Sequence, residues 1–341
     1  MVLPTPEEAV RFDLEGASMR SRLLDGSLNG EDRDRLLLRL DRGIDLGASA
    51  ILQDAQLYVD PRAALPTPAG VRNAIKGSHA NMRHHRGVPD FHIDRRDTLH
   101  WIEVGSVALP TFVHPTGSSV LIVTFHGVLN RDKYVLPRFE WVNSLRNLGH
   151  SILSFGDPTM DLELGLEGGW WLGTPLVDVV PQMATIVSRA MEELGARDLV
   201  LAGSSMGGFG ALQLGAYFPE ATVVAFNPQT DVRKYHVRRV TRVAMGSVFG
   251  ADAPPHPPRV SVLERYASTG IVPSRIRYVA NIGDRHHNEE HFEPFSAGLE
   301  SIQPGRIIRT TRDDGPGHVK IPAPAFISTV LEELERLNAS A

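Results

Sequence analysis

A serine set between glycines at the end of an apolar run is the first feature of this chain that could do chemistry. The stretch Asp198-Leu-Val-Leu-Ala-Gly-Ser-Ser-Met-Gly-Gly-Phe-Gly210 reads as a strand that runs into Gly203-x-Ser205-x-Gly207 and then into a helix. Glycines on both sides let the chain turn sharply, which exposes the serine oxygen at a helix N-terminus. Gly-x-Ser-x-Gly alone is a weak signal, because small residues cluster in many turns; its strand–turn–helix context is what points to a nucleophile. Such a serine needs a base to take its proton and an acid to orient that base. Asp284 follows the apolar run 276–282, and His318 lies in Asp313-Asp-Gly-Pro-Gly-His318 beyond the last strand candidate, so serine, acid and base follow one another along the chain. Asp231 also follows a strand candidate, the one ending in Phe226, and stays open as the alternative acid. Asp313 and Asp314 read as solvated loop charges. The negative oxygen of an acyl-transfer intermediate needs backbone donors. Met206, next after the serine, supplies one N–H; the other is expected from the loop after Thr124-Phe-His-Gly127, from Val128 first, with Gly127 also counted among the oxyanion backbone residues and letting the loop approach.

Other residues near these admit two readings each. His126 could touch a substrate or pack within its loop. Trp170 and Trp171, after a glycine pair, could form a stacking platform for a sugar or an acyl group, or be buried between loop and sheet. His287-Asn-Glu-Glu-His291 fits the H-x-x-E-H pattern of inverted zinc peptidases, and on a helix the i, i+4 spacing would put both imidazoles on one face. Against zinc stand the nearby Pro294, the missing third ligand and the ease with which five residues match by chance in a chain with 14 histidines. The site is therefore expected to need no metal and no cofactor.

The elements that must position these groups alternate. Apolar strand candidates at 98–104, 107–113, 120–125, 150–155, 198–203, 221–226, 276–282 and 306–310 are interleaved with helical stretches, chiefly 136–148, 176–195, 206–217, 289–302 and 323–337. Runs as apolar as Val120-Leu-Ile-Val-Thr-Phe125 suit a mostly parallel sheet covered on both faces, where chemistry gathers at the carboxyl ends of strands. The predicted class is α/β, with the main domain at 96–341 and a cap at 228–272, where Arg, Pro and His are in excess. Residues 1–95 read as a helical extension and arm. Helical patterns at 6–24 and 30–58 carry an apolar stripe that needs a partner, either the main domain or a second copy of the chain.

Composition narrows the function. At 341 residues, 42% hydrophobic and 22% charged, the chain has the balance of a globular protein. A formal charge of -5 provides no basic field for nucleic acid. There is no cysteine, so disulfides and thiolate metal sites are excluded. The start carries Glu7, Glu8, Arg11 and Asp13 rather than the pattern of a signal peptide, and no apolar run is long enough for a membrane span; a cytoplasmic location is expected.

Residues 98 to 337 resemble the α/β-hydrolase superfamily. Within it, Phe155-Gly-Asp-Pro-Thr159, Gly169-Trp-Trp-Leu-Gly173, Gly203-Ser-Ser-Met-Gly-Gly208, Phe226-Asn-Pro-Gln-Thr230 and Asp284-Arg-His-His287 resemble hydrolase-like proteins found with bacterial surface-polysaccharide and glycoprotein-export genes. That group includes an accessory secretion component similar to carbohydrate acetyltransferases and esterases. The expected activity is acyl transfer to Ser205 and release to water, an esterase or deacylase acting on a small ester or an acylated saccharide. A sugar hydroxyl is the alternative acceptor. A fold retained as a binding or scaffold protein is the non-enzymatic alternative, since fold does not fix function.

Overall fold

The computed structural model describes residues 82–129, 136–162, 166–250 and 256–340. The helical patterns expected at 6–24 and 30–58 lie outside the described residues. Nine strands form one sheet: β1 (Met82–His85), β2 (Thr98–Val104), β3 (Val107–His114), β4 (Val120–Phe125), β5 (Ser151–Phe155), β6 (Asp198–Ser204), β7 (Thr222–Phe226), β8 (Arg275–Asn281) and β9 (Ile307–Arg312). Their order in space is β1-β2-β3-β5-β4-β6-β7-β8-β9. Among them β3 alone runs against its neighbours β2 and β5; all other pairs are parallel. β1 falls in the stretch read from sequence as the extension, yet it pairs with β2 in register Met82↔Leu99.

Helices of eight or more described residues are α1 (Val180–Leu194), α2 (Met206–Gly215), α3 (Arg238–Phe249), α4 (Val262–Thr269), α5 (Glu293–Ile302) and α6 (Ala323–Ser340). Side chains alternate across a strand, so β4 feeds two cores. Leu121, Val123 and Phe125 point to one face, where they meet Met183, Ile186 and Val187 of α1 and Phe209 and Leu212 of α2. Val120 and Ile122 point to the other, where Phe326, Val330 and Leu334 of α6 close over them. Each fully buried Val, Leu, Ile or Phe contributes about 1.5–3 kcal/mol, so a strand buried along its whole length is held from both sides. Trp141 stacks on Phe326, 3.8 Å between centroids and 3° between planes, and ties α6 to the loop before β5.

Three elements depart from their expected spans for local reasons. The helix expected over 136–148 shrinks to Val142–Leu145 and a following turn, because Trp141 sits at φ 73° and breaks the helical path. The one expected over 176–195 starts at Val180, with Pro181 in the first turn, where its missing N–H costs nothing. In 289–302 a π-turn, Asn288–Phe292, precedes α5, whose first turn holds Pro294; a residue without an N–H cannot continue the preceding ladder. Within 228–272, an isolated bridge joins Asp231 to Ser261. α4 joins the helix layer there, Tyr266 Oη–H donating to the Leu212 carbonyl at 3.1 Å.

Candidate active site

β6 lies mid-sheet, and the chain leaves it through a strained turn. Ser205 adopts φ 56°, ψ −120°, a conformation that costs on the order of 1–3 kcal/mol in a residue with a Cβ. Its N–H donates to Phe226 O at 2.8 Å, fastening the turn to β7. Both flanking glycines are required by space. A Cβ on Gly203 would lie 2.2 Å from Gly207 O, and one on Gly207 would lie 2.5 Å from Phe125 O.

Two loops from the far side of the sheet bring the other groups. His318 Nε2 is 2.8 Å from Ser205 Oγ, and His318 Nδ1–H donates to Asp284 Oδ2 at 2.9 Å. The loops are tied by Asn281 at the end of β8, which donates to the Gly315 and Gly317 carbonyls at 2.8 and 3.0 Å and accepts from the Gly283 and Asp314 N–H groups, both at 3.1 Å. A Cβ on Gly283 would lie 2.1 Å from Gly315 O, so the acid and base loops touch backbone to backbone. Burial alone would raise the Asp284 carboxyl. Hydrogen bonds and charge from His287 and His318 outweigh it and hold Asp284 far below the usual carboxylate range, so it stays ionised.

Asp284 serves a second imidazole. His287 Nδ1 lies 2.9 Å from the same Oδ2, its backbone N–H donates to Oδ1 at 3.1 Å, and its ring lies flat on that of His318. Gln229, fully buried just beyond β7, donates from Nε2 to Ser205 Oγ at 3.0 Å and faces His287 Nε2 at 2.9 Å. Burial pushes His287 down to about 4 against the opposing pull of Asp284.

A cavity of about 310 Å³ opens beside Ser205 and His318, walled by Val128, Trp141, Tyr235 and the group Arg138, Glu140 and Lys320. Val128 thus faces the cavity, and Met206 opens α2; among the described residues neither N–H makes a backbone hydrogen bond outside the regular elements. The Gly127 N–H is occupied, donating to Glu140 Oε2 at 2.8 Å, so Gly127 shapes the loop and does not serve as an oxyanion donor. Glu140 accepts from Arg138 at 2.6 Å and lies 3.5 Å from Lys320 Nζ; despite the upward push of burial, these cations keep its carboxyl below the ordinary value.

Several expected contacts take another form. His126 is fully buried, its Nδ1–H donating to the Gly127 carbonyl at 2.8 Å and its ring against Trp171, so it packs the loop instead of reaching substrate. Trp170 and Trp171 are buried too, and the sugar platform is replaced by packing. The Trp171 indole donates to Gly156 O at 3.1 Å, and its backbone N–H to Asp157 Oδ2 at 3.0 Å. Asp157, pushed up to about 6 by burial, thus pins the tryptophan loop to the end of β5. Asp231 sits in an ion pair with Arg233 at 2.6 Å and caps the turn Val232–Lys234, so it is not brought to His318. Nor does the H-x-x-E-H pattern close on one point. Glu290 is exposed and pairs with Lys234 at 3.3 Å, while His291 Nδ1 accepts the Thr230 N–H at 3.2 Å. Among the described residues, the group close enough to hold a cation is Asp284, His287 and His318, which is the acid, its second imidazole and the base.

Gln229, Asn281, Glu140 and the pairing of His287 with Asp284 were not foreseen from sequence as parts of the site. For Asn281 the signal available was position alone, at the carboxyl end of a parallel strand; Gln229 also stands there, inside the resemblance motif Phe226-Asn-Pro-Gln-Thr230, which assigned it no role.

No protein-family model matches the chain, and no curated protein matches it by sequence. Solved structures do. The capsule O-acetyltransferase of Neisseria meningitidis serogroup A is similar at 16% identity with TM-score 0.50, the match covering 69% of this chain and 93% of that one. A glycosylation-associated protein complex from Streptococcus agalactiae matches at 14% identity with TM-score 0.51, over 70% of this chain and 46% of that one. An S-formylglutathione hydrolase from Agrobacterium tumefaciens matches at 19% identity with TM-score 0.47, over 72% and 94%. For the first two, at TM-scores of 0.50 and 0.51, the likeness is one of fold. Taken with the mostly parallel sheet, the strained turn between β6 and α2, and the chain order of serine, acid and histidine, it identifies this protein as having the α/β-hydrolase fold.

Proposed function

We propose that the protein is a serine enzyme of acyl transfer, an esterase or deacylase that works through an acyl group on Ser205. The observation that carries this reading is the succession of contacts from Ser205 Oγ to His318 to Asp284 at 2.8 and 2.9 Å, with Ser205 and His318 lining a cavity. His318 Nε2 takes the hydroxyl proton as Oγ attacks the acyl carbon, and the carbonyl electrons move to its oxygen. The N–H groups of Met206 and Val128 receive that oxygen. Collapse expels the alcohol, which leaves with the proton from His318. Water then repeats the sequence in reverse roles and frees the acid. Asp284 keeps the His318 proton on Nδ1 and stabilises the imidazolium.

A cavity of about 310 Å³ suits a small ester or the acylated residue of a saccharide. A sugar hydroxyl in place of water is the second reading. The Neisseria neighbour is named for that reaction, and the shared fold admits it here. Labelling the full chain with a fluorophosphonate and locating the modified peptide tests the nucleophile: modification at Ser205 supports the proposal, and labelling elsewhere or none defeats it. Product analysis with and without an acceptor saccharide then separates hydrolysis from transfer.

A further inference from the structure

Ser205 Oγ touches more than its base. The Gln229 amide can be oriented from its surroundings, because the Trp170 indole nitrogen can only donate and lies 3.3 Å from Gln229 Oε1. The opposite end, Nε2, therefore carries its two hydrogens toward Ser205 Oγ at 3.0 Å and His287 Nε2 at 2.9 Å. His287 Nε2 must then be an acceptor, which leaves the His287 proton on Nδ1, beside Asp284 Oδ2 at 2.9 Å. Ser205 Oγ already receives the Gln229 N–H, so its own hydrogen is directed to His318 Nε2 at 2.8 Å. Serine, base, acid, second imidazole and amide thus form one closed circuit of polar contacts. Gln229 itself is fully buried and does not line the cavity, so its amide acts on Ser205 from within the protein.

On the reading that Ser205 is the nucleophile, we propose that Gln229 is a further catalytic residue, a fixed N–H donor to Ser205 Oγ, with His287 and Trp170 as the residues that position it. The N–H stays on nitrogen throughout. In the first half-reaction the Oγ proton passes to His318 Nε2 while the Oγ–C bond forms, and the amide stabilises the charge on Oγ before that bond is made. In the second half, water gives a proton to His318 and adds to the acyl carbon, and Oγ is the leaving group: the Oγ–C bond breaks, its electron pair stays on Oγ, and the same N–H supports it until His318 delivers the proton taken from water. Because the amide is fixed by Trp170 and His287, it needs no reorganisation at either moment.

Gln229→Met keeps length and removes the donor. The rate constant for fluorophosphonate labelling of Ser205, and kcat on a small aryl ester, should fall about tenfold to a hundredfold, the range for a hydrogen bond to a charged group, with KM little changed. His287→Phe keeps a ring against His318 but removes the acceptor that aims the amide. Its effect should be much smaller in the Gln229→Met background than alone, whereas purely structural roles would multiply independently. If Gln229→Met does not fold, Trp170→Phe tests the same link: a slower labelling rate supports the proposal, and the wild-type rate overturns it. Labelling of Gln229→Met at the wild-type rate, or independent multiplication of the two effects, overturns this proposal alone. Absence of labelling at Ser205 in the wild type overturns the nucleophile assignment and this proposal together.

Discussion

The imidazole of His287 lies flat against that of His318, 4.0 Å between centroids and 13° between planes, and both rings bring Nδ1 within 2.9 Å of one carboxylate oxygen of Asp284. One acid therefore orients two rings. A cationic His287 would repel the imidazolium that His318 must become, so the burial that holds His287 neutral protects the base it is stacked on.

Removing single members of the contact series should nearly abolish turnover. Ser205→Ala and His318→Ala are each expected to lower kcat by roughly 10⁴ to 10⁶, with far-UV circular dichroism unchanged. Asp284→Asn should cost up to about 10⁴, because a wrongly tautomerised His318 still accepts a proton occasionally. Asp231→Asn should stay near wild type, since its carboxylate is engaged with Arg233. Steady-state kinetics on one ester decides the matter; an inactive Asp231→Asn beside an active Asp284→Asn would reassign the acid.

Stability should fall on acidification, beginning near neutrality. Burial pushes His100 down to about 3, His126 and His287 to about 4, and His291 to about 2. For a base with a depressed folded pKa, the unfolded chain binds the proton first, so stability is whole above about 6.5 and drains away as pH falls toward the folded value. Asp157, pushed up to about 6, has the opposite sign: its contribution is whole below about 4 and is lost as pH rises through 6. Four histidines less the opposing Asp157 leave a net three protons, at most about 4 kcal/mol per pH unit near pH 5. Urea unfolding at pH 7.5, 6 and 5 measures the slope, and a flat profile would contradict it.

The two adjacent indoles should behave as core. Trp171→Ala is expected to destabilise the protein by about 3–5 kcal/mol, as large aromatic deletions in cores do. Losses of activity in Trp170→Phe should be equal for a saccharide ester and a small aryl ester. A loss confined to the saccharide would restore the stacking platform.

Glu140 should matter beyond its own charge. Glu140→Met removes the carboxylate 2.6 Å from buried Arg138 and frees the Gly127 N–H, for an expected cost of about 3–5 kcal/mol. The double change Arg138→Met with Glu140→Met should recover part of that cost, because it removes both buried charges instead of one. Thermal unfolding of Glu140→Met, of Arg138→Met alone and of the double variant distinguishes this from additive loss.

Much of the fold was legible because it is written in short-range terms. β4 to β8 appear as apolar runs at the expected places, and the serine turn needs glycines for steric reasons visible in one segment. Ser205, Asp284 and His318 could be named from chain order, and the structure brings them together. What stayed hidden depends on partners far away in sequence. Whether Trp171 is exposed is decided by Gly156 and Asp157, and the place of His287 by the ring of His318, which no i, i+4 pattern contains. Gln229 lies in a motif that names no chemistry for it, and the way its amide faces depends on an indole 59 residues earlier.

The site is divided across its central strand. The loop bearing Val128 leaves β4 on one side of Ser205, while Gln229, Asp284 and His318 arrive from β7, β8 and beyond β9 on the other. Under the proposed mechanism the acyl oxygen turns toward β4, and the departing alcohol oxygen must lie near His318. With those two substituents placed, a planar carbonyl offers only one face to Oγ, and the tetrahedral carbon forms with a single handedness. Esters with a stereocentre next to that carbon should therefore react at unequal rates, one enantiomer being consumed faster while its mirror image is left behind. Which face of the carbonyl is attacked is set by the order of strands in the sheet.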